Sequence, residues 1–136
     1  MADREEIENA DDLYRRIHPD HINPVTQEVS SAAFVGYDSF NLSVDLGRLT
    51  TPDICMNAAA RFQTKCVGVA AFTAGSARAL SFLVEHEPLS EDHPDGPNPA
   101  HTLVIGEKDK PGRRPAKSLA RACRWVWPES MESEPS

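Results

Sequence analysis

The pattern of apolar and polar residues predicts strands in two clear places. In Asn41 to Leu46, Leu42, Val44 and Leu46 alternate with polar residues, which indicates a strand with one buried face. Lys65 to Phe72 is a nearly continuous apolar run of strand length, as expected for a central strand covered on both faces. The chain is therefore predicted to build its core around a sheet.

Other segments complete the predicted sheet. Apolar and aromatic content favours strands at Asp12 to Ile17, Phe82 to Glu87 and Ala100 to Gly106, and Ser30 to Phe34 is a short run that is a candidate for one further strand. Two proline-rich segments, 18–24 and 88–99, are predicted to be loops, because proline interrupts regular backbone hydrogen bonding.

Three helices are predicted between or after these strands. Thr50 to Asp53 supplies a threonine cap, a first-turn proline and an acidic residue, and this helix extends to about Phe62. A short helix over Ser76 to Leu80 is capped by Thr73. The last helix has Pro115 in its first turn, and an apolar stripe follows helical spacing up to the end of the domain: Ala116, Leu119, Ala120, Cys123 and Trp127.

This order of elements predicts an α+β (or small α/β) fold with a single mixed sheet of about five strands and two to three helices packed on it. Residues 1–10 and 128–136 are polar, acidic and aperiodic, so both are predicted to be disordered. The single domain then spans residues 11–127, a length that sustains one core without metal or disulfide crosslinks.

Charge is segregated along the chain. Lys108 to Arg124 carries seven basic residues and one acidic residue, although the net charge of the chain is −7. Four of the basic residues recur at helical spacing and form a basic stripe: Arg114, Lys117, Arg121 and Arg124. An ordinary solvated helix face explains such a stripe. The alternatives are docking to an acidic partner protein, contact with the chain's own acidic tail, or binding of nucleic acid.

Residues with catalytic or metal-binding chemistry are scattered. His18 and His21 form an H-x-x-H pair in a loop, but no second ligand pair with metal spacing accompanies them, so neither a metal nor a cofactor is predicted. The three cysteines lack a C-x-x-C pair and are interpreted as small apolar residues with inert thiols. His86 and His101 are the histidines placed in predicted strands, where they could transfer protons near neutral pH.

An enzyme alternative follows from Leu13 to Ile17. This segment resembles the first strand of small bacterial ADP-ribosyltransferase toxins, which consume NAD. The resemblance implies that an arginine leaving the strand, Arg15 or Arg16, helps hold an anionic or nucleotide-like substrate. His86 or His101 would then transfer the proton.

The favoured expectation is instead a small bacterial-type binding protein that docks a partner protein, encoded nearby, through its charge-segregated surface. Nucleic acid is a possible partner of the basic stripe, whereas a membrane is not expected. The start of the chain lacks the apolar run of a signal peptide, which favours the cytoplasm. The sequence leaves oligomeric state open.

Overall fold

A computed structural model describes residues 4–34, 41–61, 66–94, 97–106 and 113–127. These residues form six strands: β1 (Asp12–Ile17), β2 (Asn41–Leu46), β3 (Gly68–Thr73), β4 (Leu83–His86), β5 (His101–Ile105) and β6 (Arg124–Trp127). They also form three α-helices: α1 (Pro52–Arg61), α2 (Ala74–Ala79) and α3 (Arg113–Ala122). Short 3-10 turns occupy Pro19–His21, Ser31–Phe34 and Gly47–Leu49. Within these ranges, no helix has the length and apolar character needed to cross a bilayer.

The six strands make one sheet in the order β4-β5-β2-β1-β3-β6, and every neighbouring pair is antiparallel. The predicted α+β class is confirmed, but the sheet is antiparallel rather than mixed and has one strand more than expected. Helix α1 joins β2 to β3, which lie on opposite sides of β1. The helical connection therefore joins strands that are not neighbours, and it creates no parallel pair.

The sheet is covered differently on its two sides. Helices α2 and α3 and the turn Ser31–Phe34 cover one side, the α3 face, where the larger core cluster includes Leu13, Ile17, Phe72 and Leu119. Helix α1 covers the other side, the α1 face, where it packs along β1, β3 and β6. Strands β2, β5 and β4 extend beyond it.

Strand β3 is buried on both faces, as its apolar run predicted. Ala70 and Phe72 join the cluster on the α3 face, whereas Val69 and Ala71 join the smaller cluster under α1. The strand lies second from one edge of the sheet, so the expected central position is wrong by one strand. Double-sided burial here follows from helices on both faces.

The last helix is shorter than predicted. Helix α3 ends at Ala122, and the chain turns at Cys123 into the edge strand β6. Strand β6 pairs with β3, and its register shifts between Val69 and Ala70. Alternating aromatic residues with an intervening valine favour a strand. Trp125 thereby packs against the larger cluster, whereas Trp127 packs against the smaller one.

The segment Ser30 to Phe34 is a 3-10 turn rather than a strand. The Ser30 hydroxyl accepts a hydrogen bond from the Ala32 amide at 3.0 Å, and the Ser30 carbonyl accepts one from Ala33 at 3.1 Å. Such local serine bonds compete with strand pairing. Ala33 and Phe34 are buried, so the turn itself contributes to the core.

The segment before β1 packs on the domain, although residues 1–10 were predicted to be disordered. Ile7 is 6% exposed and belongs to the larger core cluster. Arg78 donates to the Ile7 carbonyl and to the Asn9 side chain, each at 2.7 Å, and Arg48 donates to the Glu6 carbonyl at 2.7 Å. One isoleucine and two arginines thus attach the acidic segment before β1 to the rest of the domain. Residues 1–3 and the predicted tail 128–136 lie outside the described residues.

We expect Gly68→Ala to destabilise the protein by about 1 to 3 kcal/mol, because an added methyl group overpacks a filled site. A Cβ atom at this position would lie 2.6 Å from Cζ3 of Trp125 and 2.7 Å from the Trp127 carbonyl oxygen. Urea unfolding measures the change, with Val25→Ala, at a side chain 88% exposed, as the control. Equal stability of both variants would contradict the packing of β6 on β3.

Candidate functional site

The hydrogen-bonded ladder between β1 and β2 stops partway along the strands. Only two residue pairs, Leu13 with Leu46 and Tyr14 with Asp45, are in register between these strands, whereas β1 and β3 pair over six residues. The next two residues of β1, Arg15 and Arg16, extend their side chains to β2. Polar side chains therefore replace main-chain pairing beyond Tyr14 and Asp45, and this place where β1 and β2 separate is called the split.

Arg16 reaches β2 through an ion pair. Its Nη1 atom lies 3.1 Å from Oδ2 of Asp45, and Asn98 donates to Oδ1 of the same carboxylate at 2.9 Å. The Asp45 side chain is only 6% exposed. Burial is the largest influence on the Arg16 pKa and lowers it, but Asp45, Cys55 and Cys66 together outweigh burial, so the Arg16 pKa is raised. The guanidinium also donates to the Cys55 carbonyl at 3.3 Å, which ties α1 to the sheet.

Arg15 reaches β2 through a main-chain oxygen. Its Nε atom donates to the Ala33 carbonyl at 3.0 Å, and its Nη1 atom donates to the Ser43 carbonyl at 2.8 Å. No carboxylate of the described residues forms an ion pair with it. Burial and the nearby Arg16 charge lower the Arg15 pKa to about 10.

His101 stands beside this split on β5, directly across from Asp45 in register. Its Nδ1 atom lies 3.1 Å from the Glu87 carbonyl oxygen and 3.6 Å from the Glu87 carboxylate. Since a carbonyl only accepts hydrogen bonds, Nδ1 carries the proton of the neutral ring. Nε2 then presents a lone pair, and it lies 3.4 Å from Oγ of Ser43.

The Ser43 and His101 side chains lie on the α1 face, on the part of the sheet beyond α1. Residues of one parity along β2 and β5 share this face, so Ser43, Asp45, His101 and Leu103 lie together. Ser43 is exposed, and the His101 side chain is 14% exposed. A serine hydroxyl, an imidazole acceptor and an orienting carbonyl with its carboxylate are the parts of a nucleophile activated by a general base.

His86, the other histidine proposed for proton transfer, lies elsewhere. It is 4% exposed, accepts from the Glu5 amide through Nδ1 at 2.7 Å and bonds the Pro99 carbonyl through Nε2 at 2.7 Å. It joins the segment before β1 to the loop before β5. Of the predicted catalytic candidates, the fold therefore brings Arg15, Arg16 and His101 around β2 and gives His86 a structural position.

The basic stripe does not follow one helix. Lys117 and Arg121 are exposed on α3, but Arg124 begins β6 and pairs with Asp12 at 2.8 Å. The side chain of Arg114 lies outside the described part of the chain. The predicted stripe is thus reduced, among described side chains, to two positions on α3 and one ion-paired residue on the sheet edge.

Two of the three cysteines, Cys55 and Cys123, fit the predicted role as apolar residues with inert thiols. Burial raises the pKa of the Cys55 thiol, and burial raises the pKa of Cys123 to about 11. Both therefore stay protonated near neutral pH. The described residues contain no group of three or more histidine, cysteine or acidic side chains placed to hold a metal ion.

Sequence reasoning missed Ser43, Asp45, Glu87 and Asn98. The alternation along β2 contained a usable signal, because it placed Ser43 and Asp45 together on the polar face of a strand. It gave no indication that the Asp45 carboxylate would be buried, since its partners Arg16 and Asn98 lie far away in sequence.

Comparisons with known proteins do not add to this description. The chain matches no protein-family model, and the searches of curated proteins and of solved structures returned no match.

We expect Asp45→Ala to lower the free energy of unfolding by about 2 to 4 kcal/mol, because it leaves the half-buried Arg16 charge without its carboxylate. Urea unfolding provides the measurement, with Asp92→Ala in an exposed loop as the control. Adding Arg16→Met to Asp45→Ala should recover part of the loss. Independent, additive effects of the two substitutions would argue against the pair.

Proposed function

We propose that this chain is a small hydrolase that cleaves carboxylic esters carrying a negative charge, with Ser43 as nucleophile and His101 as general base. The observation that supports it is the Nε2 lone pair of His101, which lies 3.4 Å from the Ser43 hydroxyl while Nδ1 is fixed on Glu87. Hydrogen bonds between nucleophile and base are often this long without substrate and shorten when it binds.

The chemistry has two balanced steps. Nε2 of His101 takes the Ser43 proton as Oγ bonds to the ester carbon, and the C–O bond to the leaving alcohol breaks when His101 returns that proton to its oxygen. Water then attacks the acyl-serine with His101 again accepting a proton, which releases the carboxylic acid and restores the Ser43 hydroxyl. The carboxylate of Glu87, 3.6 Å from Nδ1, stabilises the imidazolium that forms between these transfers.

The preference for a negatively charged substrate comes from the arginines of β1. Arg16 shares a face with Ser43, and Asp45 neutralises its charge, whereas Arg15 donates to the Ser43 carbonyl and extends over the opposite face. The Arg15 charge therefore favours anions near the nucleophile through its electrostatic field and not by direct contact. This proposal develops the enzyme alternative of the sequence, in which Arg15 or Arg16 holds an anionic substrate and His101 transfers the proton.

A second candidate function is docking of an acidic partner protein in the cytoplasm through α3. Lys117 and Arg121 are exposed and form no ion pair with any of the described residues. Two unpaired cations one helical turn apart favour a surface of opposite charge. A neighbouring gene product is the expected partner, and nucleic acid is an alternative outcome of the test below.

The hydrolase proposal predicts that a fluorophosphonate probe labels Ser43. Intact mass spectrometry with peptide mapping should locate the adduct there, and Ser43→Ala should abolish it. His101→Gln should slow labelling by about 100-fold or more, since general-base assistance contributes that much. Ser90→Ala, in an exposed loop, serves as the matched control and should label at the wild-type rate.

Labelling that persists in Ser43→Ala, or that is unchanged in His101→Gln, would exclude this pair as nucleophile and base. A chain that no probe modifies and that hydrolyses no anionic aryl ester would refute the hydrolase as a whole.

The docking proposal predicts a salt-sensitive complex that depends on α3. Once a pull-down identifies a partner, the purified partner should bind the Lys117→Ala/Arg121→Ala variant at least about tenfold more weakly than the wild type. Arg4→Ala removes one exposed charge elsewhere and should change Kd by less than about twofold. Equal affinities of all three proteins, or binding of RNA in place of a protein, would overturn it.

A further inference from the structure

The loop after β1 carries two histidines and packs on the turn Ser31–Phe34, whose Ala33 carbonyl accepts from Arg15. His18 and His21 flank the 3-10 turn Pro19–His21, and their ring centroids are 5.6 Å apart. The Asp20 amide donates to Nδ1 of His18 at 3.1 Å, so in the neutral ring the proton lies on Nε2. His18 thus keeps one N–H donor that the turn does not use.

The surroundings of His21 favour its neutral ring. Its pKa is lowered by burial first, then by His18 and by Arg15, while Asp20 opposes them. The Asp20 side chain is 85% exposed, so solvent screens its influence. The turn Ser31–Phe34, which packs against this loop, contributes no charged residue.

The Arg15 guanidinium has N–H donors that no hydrogen bond to a described residue uses. Its bonds to the carbonyls of Ala33 and Ser43 use two of the five guanidinium N–H groups. No acceptor among the described residues bonds the other three. A half-buried guanidinium that meets only carbonyl oxygens keeps its positive charge at neutral pH, and the other charge that acts on it is the Arg16 cation.

We propose that Arg15, His18 and His21 form a binding site for a phosphate group, carried by inorganic phosphate or a phosphomonoester. A guanidinium fork and imidazole N–H groups match tetrahedral phosphate oxygens, and each N–H then bonds to a charged acceptor. The anion supplies the negative charge that the described residues do not provide to Arg15.

This site goes beyond the proposed ester chemistry, because the two lie on opposite faces of the sheet. Arg15 shares the α3 face with Leu13 and Ile17, whereas Arg16 and Ser43 project from the α1 face. Loss of one activity therefore does not require loss of the other.

NMR titration of the histidine ring protons with inorganic phosphate, and separately with phenyl phosphate, tests the proposal. We expect saturable shifts at His18 and His21 and at least tenfold weaker binding to Arg15→Lys, which keeps the charge but lacks the fork. His21→Gln should also weaken binding and remains informative if Arg15→Lys fails to fold. A difference between the two ligands distinguishes recognition of free phosphate from that of an ester.

A control separates the site from general electrostatics. Arg121→Gln removes an exposed charge on α3 and should bind phosphate as the wild type does. Shifts that rise linearly without saturation, or an equal loss in Arg121→Gln and His21→Gln, would overturn the phosphate site, whereas fluorophosphonate labelling of Ser43 would be unaffected.

Discussion

Two adjacent arginines in the middle of a sheet impose the constraint on which this structure depends. A strand directs successive side chains to opposite faces, so Arg15 and Arg16 enter both layers of the domain. Neither guanidinium can give up its proton near neutral pH, and each must find acceptors where it lies. The β1–β2 ladder ends after two residue pairs, and β2 oxygen atoms accept hydrogen bonds from the two arginines beyond that point.

The two arginines differ in their partners, so one of them belongs to a balanced ion pair and the other has no carboxylate partner among the described residues. Arg16 meets a buried carboxylate that is itself held by Asn98, so its charge is balanced and it connects β1, β2 and α1. Arg15 meets only carbonyls. An anion is the partner that would balance it, and this is why the phosphate proposal rests on Arg15 rather than on its neighbour.

Local patterns predicted the elements that local forces determine. The bounds of β1 and β2 and the start of α1 match the structure, because alternation and capping act within a few residues. The end of α3 was missed, since helical spacing continues through Trp127 while pairing with β3 draws that segment into a strand. The predicted candidates Arg16 and His101 do lie on either side of Asp45. The position of that carboxylate between them depends on strand register, which one sequence does not encode locally.

Strand β2 contributes to both proposed sites through a single residue. The Ser43 carbonyl accepts from Arg15, and its side chain faces His101 on the other side of the sheet. Phosphate would bind Arg15 through the guanidinium N–H groups that the two carbonyls leave free, so the bond from Arg15 to the Ser43 carbonyl is kept when phosphate binds. The peptide that carries the nucleophile therefore stays in place, and the two sites act independently although they share a residue.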